Sequence, residues 1–145
     1  MINAMIYRLI VIGIGILLFA AGIMDIKSRQ ISRKMIVFMF LACCALLPFR
    51  RYFSILDTIG GLAIGLSIIG LSVLSKEQIG KGDGMVVAAV GIAFGARRCF
   101  LVLSTASFVM CMIAVGVLLL KKGVRQTRLP FLPALFAGYL LCIVL

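Results

Sequence analysis

The sequence predicts an all-α, polytopic integral membrane protein with about six transmembrane helices, built as one membrane-embedded domain over residues 1–145. Three observations carry that prediction. Hydrophobic residues make up 64% of the chain and the mean hydropathy is +1.28. A soluble domain of this length has no core large enough for that much apolar surface, so lipid must solvate most side chains. The charged residues, 13% of the total, fall in short clusters between six apolar runs. In lipid, an open chain of this kind satisfies its backbone polar groups only as helix.

The runs cover Leu9–Met24, Met35–Phe49, Ile59–Leu74, Gly84–Ala96, Phe100–Leu120 and Leu129–Leu145. The fifth is the clearest, because Leu101 to Leu120 carries no charge. Several runs are shorter than the roughly 17–25 residues of a spanning helix. The fourth would reach only about 20 Å at a rise of about 1.5 Å per residue, so it must extend into its flanks or cross a thin region. Phe19-Ala20-Ala21-Gly22 looks like a leader cleavage site, but further apolar runs follow it and no soluble domain does. The first run is therefore read as a retained helix. Gly61-x-x-x-Gly65 and Gly91-x-x-x-Gly95 have the spacing of closely packed membrane helices.

The net charge is +11, from 15 Lys and Arg against four acids. Clustered between apolar runs, the basic residues suit anionic headgroups and topology rather than nucleic acid. One set of alternate loops carries Lys27, Arg29, Arg33, Lys34, Lys76, Lys81, Lys121, Lys122, Arg125 and Arg128; the other carries Arg8, Arg50, Arg51, Arg97 and Arg98. This ten-to-five split predicts that the richer loops are cytoplasmic and both termini external. The five cysteines form no C-x-x-C pair and histidine is absent, so neither a metal site nor a disulfide framework is expected.

The four acids are Asp25, Asp57, Glu77 and Asp83. Asp25 ends the first run and Asp83 opens the fourth, where an ionisable group bears a desolvation cost. Between them the chain crosses the membrane twice, which returns both carboxylates to one face. The Arg128-Leu129-Pro130-Phe131 loop returns there too, and Asp57 is placed on the opposite face. In Gly80-Lys81-Gly82-Asp83, the two glycines permit positive φ and close backbone approach beside an aspartate. A phosphate-cradling loop is a poor alternative, because the G-x-x-x-x-G-K-[ST] spacing is missing.

These residues resemble a known family. Asp25-Ile26-Lys27-Ser28-Arg29-Gln30-Ile31 is similar to the D-x-K-x-R-x-I signature of type IV prepilin peptidases, membrane proteases of the GxGD class. Gly80-Lys81-Gly82-Asp83 resembles their second motif, and Pro130-Phe131-Leu132-Pro133 the P-F-x-P motif that opens their last helix. Pro133-Ala134-Leu135 also resembles the P-A-L motif of presenilin-like relatives. The likeness covers essentially the whole chain. It implies an aspartic endopeptidase with Asp25 and Asp83 as the catalytic pair. Lys27, Arg29, Gly80, Gly82, Pro130, Phe131 and Pro133 would be supporting motif positions, with no metal and no cofactor. One carboxyl of such a pair holds a proton while the other is charged. The charged one activates water and the protonated one polarises the scissile carbonyl. Lys27, Arg29 and Lys81 either favour ionisation of the pair or hold lipid phosphate, the second being preferred.

The resemblance further implies a prepilin or pseudopilin substrate, a short basic leader followed by an apolar helix, cut at the cytoplasmic edge of the inner membrane. A basic leader there approaches a basic face, which anionic lipid or the charged aspartate would screen. The chain departs from the pattern at Ser32, usually Pro, and at Met85, usually Lys. Only eight residues precede the first run, so the expectation is cleavage without the metal-binding region that larger members link to methylation. The alternatives are a preflagellin or intramembrane GxGD peptidase, an ion-coupled transporter using the same aspartates, and a non-catalytic scaffold.

Overall fold

Helix accounts for all the regular secondary structure in the computed structural model, which describes residues 2–28, 32–49, 54–74, 80–119 and 131–144. The elements are α1 (Ile2–Ser28), α2 (Arg33–Leu46) with a 3-10 turn at Leu47–Phe49, α3 (Ile55–Leu74), α4 (Lys81–Leu119) and α5 (Leu132–Val144). The all-α expectation is met, and each apolar run seeds a helix. Residue 120 of the fifth run and residues 129, 130 and 145 of the sixth lie outside the described residues.

On α1, Val11, Ile14, Leu18 and Ala21 recur at helical spacing and are buried. Ile12, Ile16, Phe19 and Ile23 on its other side are equally apolar but at least half exposed. A helix that is apolar all round, yet exposed on one side, is solvated by lipid. The same holds for α3, where Leu56, Ile59, Leu66 and Val73 face outward. By length and composition, Met5–Lys27, Ile55–Leu74 and Lys81–Val117 are able to cross a membrane, and Leu132–Ile143 is a shorter apolar helix. The described residues thus hold three helices of crossing length where the runs suggest about six. The difference has two causes. Helices α2 and α5 have only 14 and 13 residues, and α4 joins the fourth and fifth runs.

That joined helix is not straight. Gly95 has φ 83° and ψ 174°, a conformation open to glycine and strained for L side chains. The Cys99 thiol donates to the Val87 carbonyl at 3.7 Å. Twelve residues along a straight helix would separate these groups by about 18 Å. The chain therefore folds back at Gly95, and α4 consists of two limbs, 81–94 and 96–119.

Helix α3 runs along the first limb of α4. A Cβ added at Gly61 would collide with the Gly91 backbone, and one at Gly91 with the Gly61 backbone. Gly65 meets Ala88 and Ile69 meets Gly84 farther along the same seam. This antiparallel seam uses the predicted Gly61-x-x-x-Gly65 spacing. On α4, however, Gly91 packs while Gly95 turns the chain.

Helix α5 closes the bundle between α1 and α4. The Tyr139 hydroxyl donates to the Val11 carbonyl at 2.8 Å, its ring meets Phe94 edge-on at 5.6 Å, and Phe136 packs on Phe19 at 5.2 Å. At the Tyr7 end of α1, Arg98 donates to the Tyr7 hydroxyl at 3.3 Å. Arg8, Arg97 and Arg98 are exposed there, so three of the basic residues assigned to the sparser face share one end of the bundle.

Gly61→Leu is expected to separate α3 from α4 and to cost about 1–3 kcal/mol through overpacking. Gly70→Leu, at a position where a Cβ meets nothing within 4 Å, is the matched control. Thermal unfolding in detergent should show a clear loss for the first and little change for the second.

Candidate active site

The last turn of α1 and the first turn of α5 meet at the end of the bundle opposite Tyr7, and the first turn of α4 brings Asp83 within electrostatic reach of Asp25 there. Asp25 is half-buried in the last turn of α1. An acid there faces the negative end of its own helix, which is unfavourable. Its compensation comes from another helix, because the Leu132 backbone N–H, at the positive end of α5, donates to Asp25 Oδ2 at 3.4 Å. One turn earlier, Gly22 is buried against the same element. A Cβ added there would lie 3.5 Å from both Pro133 Cα and Pro133 N, in ordinary contact.

Asp83 is half-buried in the first turn of α4, where the helix dipole favours a negative charge. Its backbone N–H donates to the Gly80 carbonyl at 3.0 Å, and its carboxyl folds back over Gly80. A Cβ built on Gly80 would lie 3.0 Å from Asp83 Oδ2. Asp25 acts electrostatically on the Asp83 carboxyl. The two acids that the sequence pairs through topology are therefore near each other in space, 58 residues apart along the chain.

The supporting positions divide. Lys27 and Lys81 are exposed, each close to one aspartate in sequence. Phe131 is half-buried against the hydrophobic core, and Pro133 lies in the first turn of α5, where a missing N–H costs nothing. Arg29, Pro130 and Glu77 lie outside the described residues.

The glycine reading needs a correction. Gly82 is already helical in the first turn of α4, and Gly95 is the positive-φ glycine among the described residues. The Gly-Lys-Gly-Asp spacing therefore does not supply a left-handed turn at Gly82. What it supplies is room at Gly80, the residue before the helix, for the Asp83 carboxyl to fold back.

Ser32 precedes α2 in an extended conformation, and its carbonyl accepts the N–H groups of Met35 and Ile36. It opens the helix without a side-chain cap, at the position where the family pattern has Pro. Met85 points outward, 40% exposed, away from the buried side of its helix. Sequence reasoning did not find the Leu132 N–H contact or the Gly22–Pro133 contact. A backbone donor leaves no residue-type signature, and Gly22 reads as one more small residue in an apolar run. No group of His, Cys, Asp and Glu suited to a metal ion is found among the described residues.

Compared with protein-family models, residues 12–115 match the type IV leader peptidase family. The match covers well over half of the chain, which belongs to that family. Comparisons with curated proteins and with solved structures gave no match.

Gly80→Ala is expected to push the Asp83 carboxyl aside by a few tenths of an ångström and to lower peptidase turnover at unchanged membrane abundance. Gly82→Ala needs no change of backbone region. Cleavage assays at matched protein levels should therefore rank Gly80→Ala below Gly82→Ala, and the opposite order would return the backbone requirement to Gly82.

Proposed function

We propose that this member of the type IV leader peptidase family is a membrane aspartic endopeptidase. It removes the short basic leader from prepilin or pseudopilin substrates at the cytoplasmic face of the inner membrane, and Asp25 and Asp83 are its catalytic pair. The observation that carries this reading is Asp25 held by the α5 amino terminus with Asp83 in its electrostatic reach at the same end of the bundle, in a chain of a leader peptidase family.

Chemically, two carboxyl groups at the membrane boundary suffice for peptide hydrolysis. A close pair shares one proton, because two like charges side by side repel. The ionised member takes a proton from water as the oxygen attacks the scissile carbonyl. The protonated member donates to the carbonyl oxygen as the tetrahedral gem-diol forms. The carboxyl that took the water proton then gives it to the scissile nitrogen, the other carboxylate takes back a hydroxyl proton, and collapse expels the amine of the shortened product. The Leu132 N–H keeps Asp25 oriented. The half-burial of both acids reduces the water around them and strengthens each electrostatic contact.

The position of the site at helix ends supports the substrate class that the family resemblance implies. A cleavage centre at a helix-end boundary suits a bond between a polar leader and an apolar helix. The apolar part docks laterally from lipid while the leader stays in water. In this reading the chain crosses the membrane six times, with the two limbs of α4 as separate crossings. The first limb, 14 residues and about 21 Å long, would then lie where the protein is locally thin.

Two measurements test the proposal. Asp25→Asn and Asp83→Asn each keep shape and polarity but remove ionisation. Each should lower leader removal from purified prepilin by on the order of 10²–10⁴-fold, with little further loss in the double variant because the pair acts as a unit. Substantial cleavage by either single variant, at equal abundance, would falsify the aspartic mechanism. For orientation, a reporter fused at Lys122 should read cytoplasmic and one at the carboxyl terminus external. The reverse pattern would move the aspartates to the other side.

A further inference from the structure

Asp57 lies at the far end of the bundle from the catalytic pair. It is in the first turn of α3, and its Oδ1 accepts the backbone N–H of Ala96 at 2.9 Å. Ala96 is the first residue after the reversal at Gly95, so this N–H is one of the unsatisfied donors that open the second limb of α4. A capping acceptor normally comes from the residue just before its helix. Here Gly95 has no side chain, and the acceptor comes from a residue 39 positions earlier. One carboxylate thus sits at two positive helix ends, that of α3 and that of the second limb. Gly60 makes the approach possible, since a Cβ added there would stand 2.9 Å from Ala96 Cβ.

From this contact the α3–α4 seam runs through Gly61 and Gly91, then Gly65 and Ala88, to Ile69 and Gly84. Gly84 adjoins Asp83. A seam of small residues brings two helices close, yet few side chains resist sliding along it. The Asp57–Ala96 hydrogen bond is directional and stands at one end of that seam. Asp83 stands at the other, 13 residues or about 20 Å away along the limb.

We propose that Asp57 is a positioning residue for Asp83. By capping the second limb of α4 it pins the register of α3 against the first limb, and so sets the height of the Asp83 carboxyl against Asp25. The inference rests on the reading of Asp83 as catalytic, and it requires an acceptor at position 57 rather than a charge.

The test uses the full chain in lipid nanodiscs. Asp57→Asn retains a carbonyl acceptor and should keep kcat near the wild-type value. Asp57→Ala should lower kcat about 10- to 100-fold, the scale of a small misplacement of a reacting group, with KM within about twofold because the substrate-facing surface is unchanged. Ala96→Pro removes the donor at a position where helices accept proline. It should reproduce the loss and add little to Asp57→Ala in the double variant, and it serves in place of Asp57→Ala if that variant does not fold.

A second arm needs no cleavage. With Asp25→Cys and Asp83→Cys in a background freed of native cysteines, a short bifunctional thiol reagent should cross-link the two positions. The yield should fall several-fold when Asp57→Ala is added and persist with Asp57→Asn. Wild-type kcat in Asp57→Ala, equal losses in the Asn and Ala variants, or an unchanged cross-link yield in Asp57→Ala would each overturn the proposal. A wild-type chain that cleaves no prepilin overturns the proposed function instead, and the cross-linking arm still decides the role of Asp57.

Discussion

Backbone-to-backbone approach between α3 and the first limb of α4 is the constraint on which the rest of the structure depends. Lipid is as apolar as leucine, so burying a leucine between membrane helices brings little of the gain that drives folding in water. Contact must come from closeness itself, through many weak dispersion contacts and the absence of voids. Gly61 and Gly91 supply that closeness where a single added methyl group on either would collide with the other's backbone. Once α3 and α4 are this close, the Asp57–Ala96 hydrogen bond at the end of their seam is able to tie the height of Asp83 to α3.

The second requirement is that polar groups freed from a helix find partners, because the membrane interior offers no water. The structure meets it with contacts between helices. Tyr139 donates to a carbonyl of α1, Asp57 receives the first N–H after the Gly95 reversal, and Asp25 receives the Leu132 N–H of α5. Two of these three contacts use an aspartate at a helix boundary. They stand at opposite ends of the bundle, Asp57 beside a turn of the chain and Asp25 within electrostatic reach of a second acid. The same pairing of carboxylate and helix amino terminus therefore serves packing at one end and, in the proposed function, chemistry at the other.

How much of this was legible in the sequence depends on the kind of signal each feature leaves. The helices were legible, because apolar runs between basic clusters admit little else in lipid. So was the placement of Asp25 and Asp83 at one end and Asp57 at the other, which follows from counting crossings. The spacing Gly61-x-x-x-Gly65 foretold close packing but not its partner, since small residues name no neighbour. The reversal at Gly95 was hidden by the same ambiguity, because Gly91-x-x-x-Gly95 reads as one packing motif while its two glycines do different things. The Leu132 N–H could not be read at all, being a backbone group that every residue but proline carries.

The aspartates also show why composition alone leaves transport and proteolysis open while geometry favours one. A cation pathway through the membrane needs polar groups spaced along the crossing. Here the buried side chains of the central layer are almost entirely apolar, with Ser72 the buried polar side chain among the described residues. Asp57 and the Asp25–Asp83 pair occupy opposite ends, separated by the length of the first limb of α4 and by the glycine seam that seals it against α3. Among the described residues the acids stand at the two ends of the bundle, with apolar side chains and the glycine seam between them. A pair of half-buried carboxylates at one helix-end boundary instead suits, in the proposed function, a bond between a polar leader and an apolar helix.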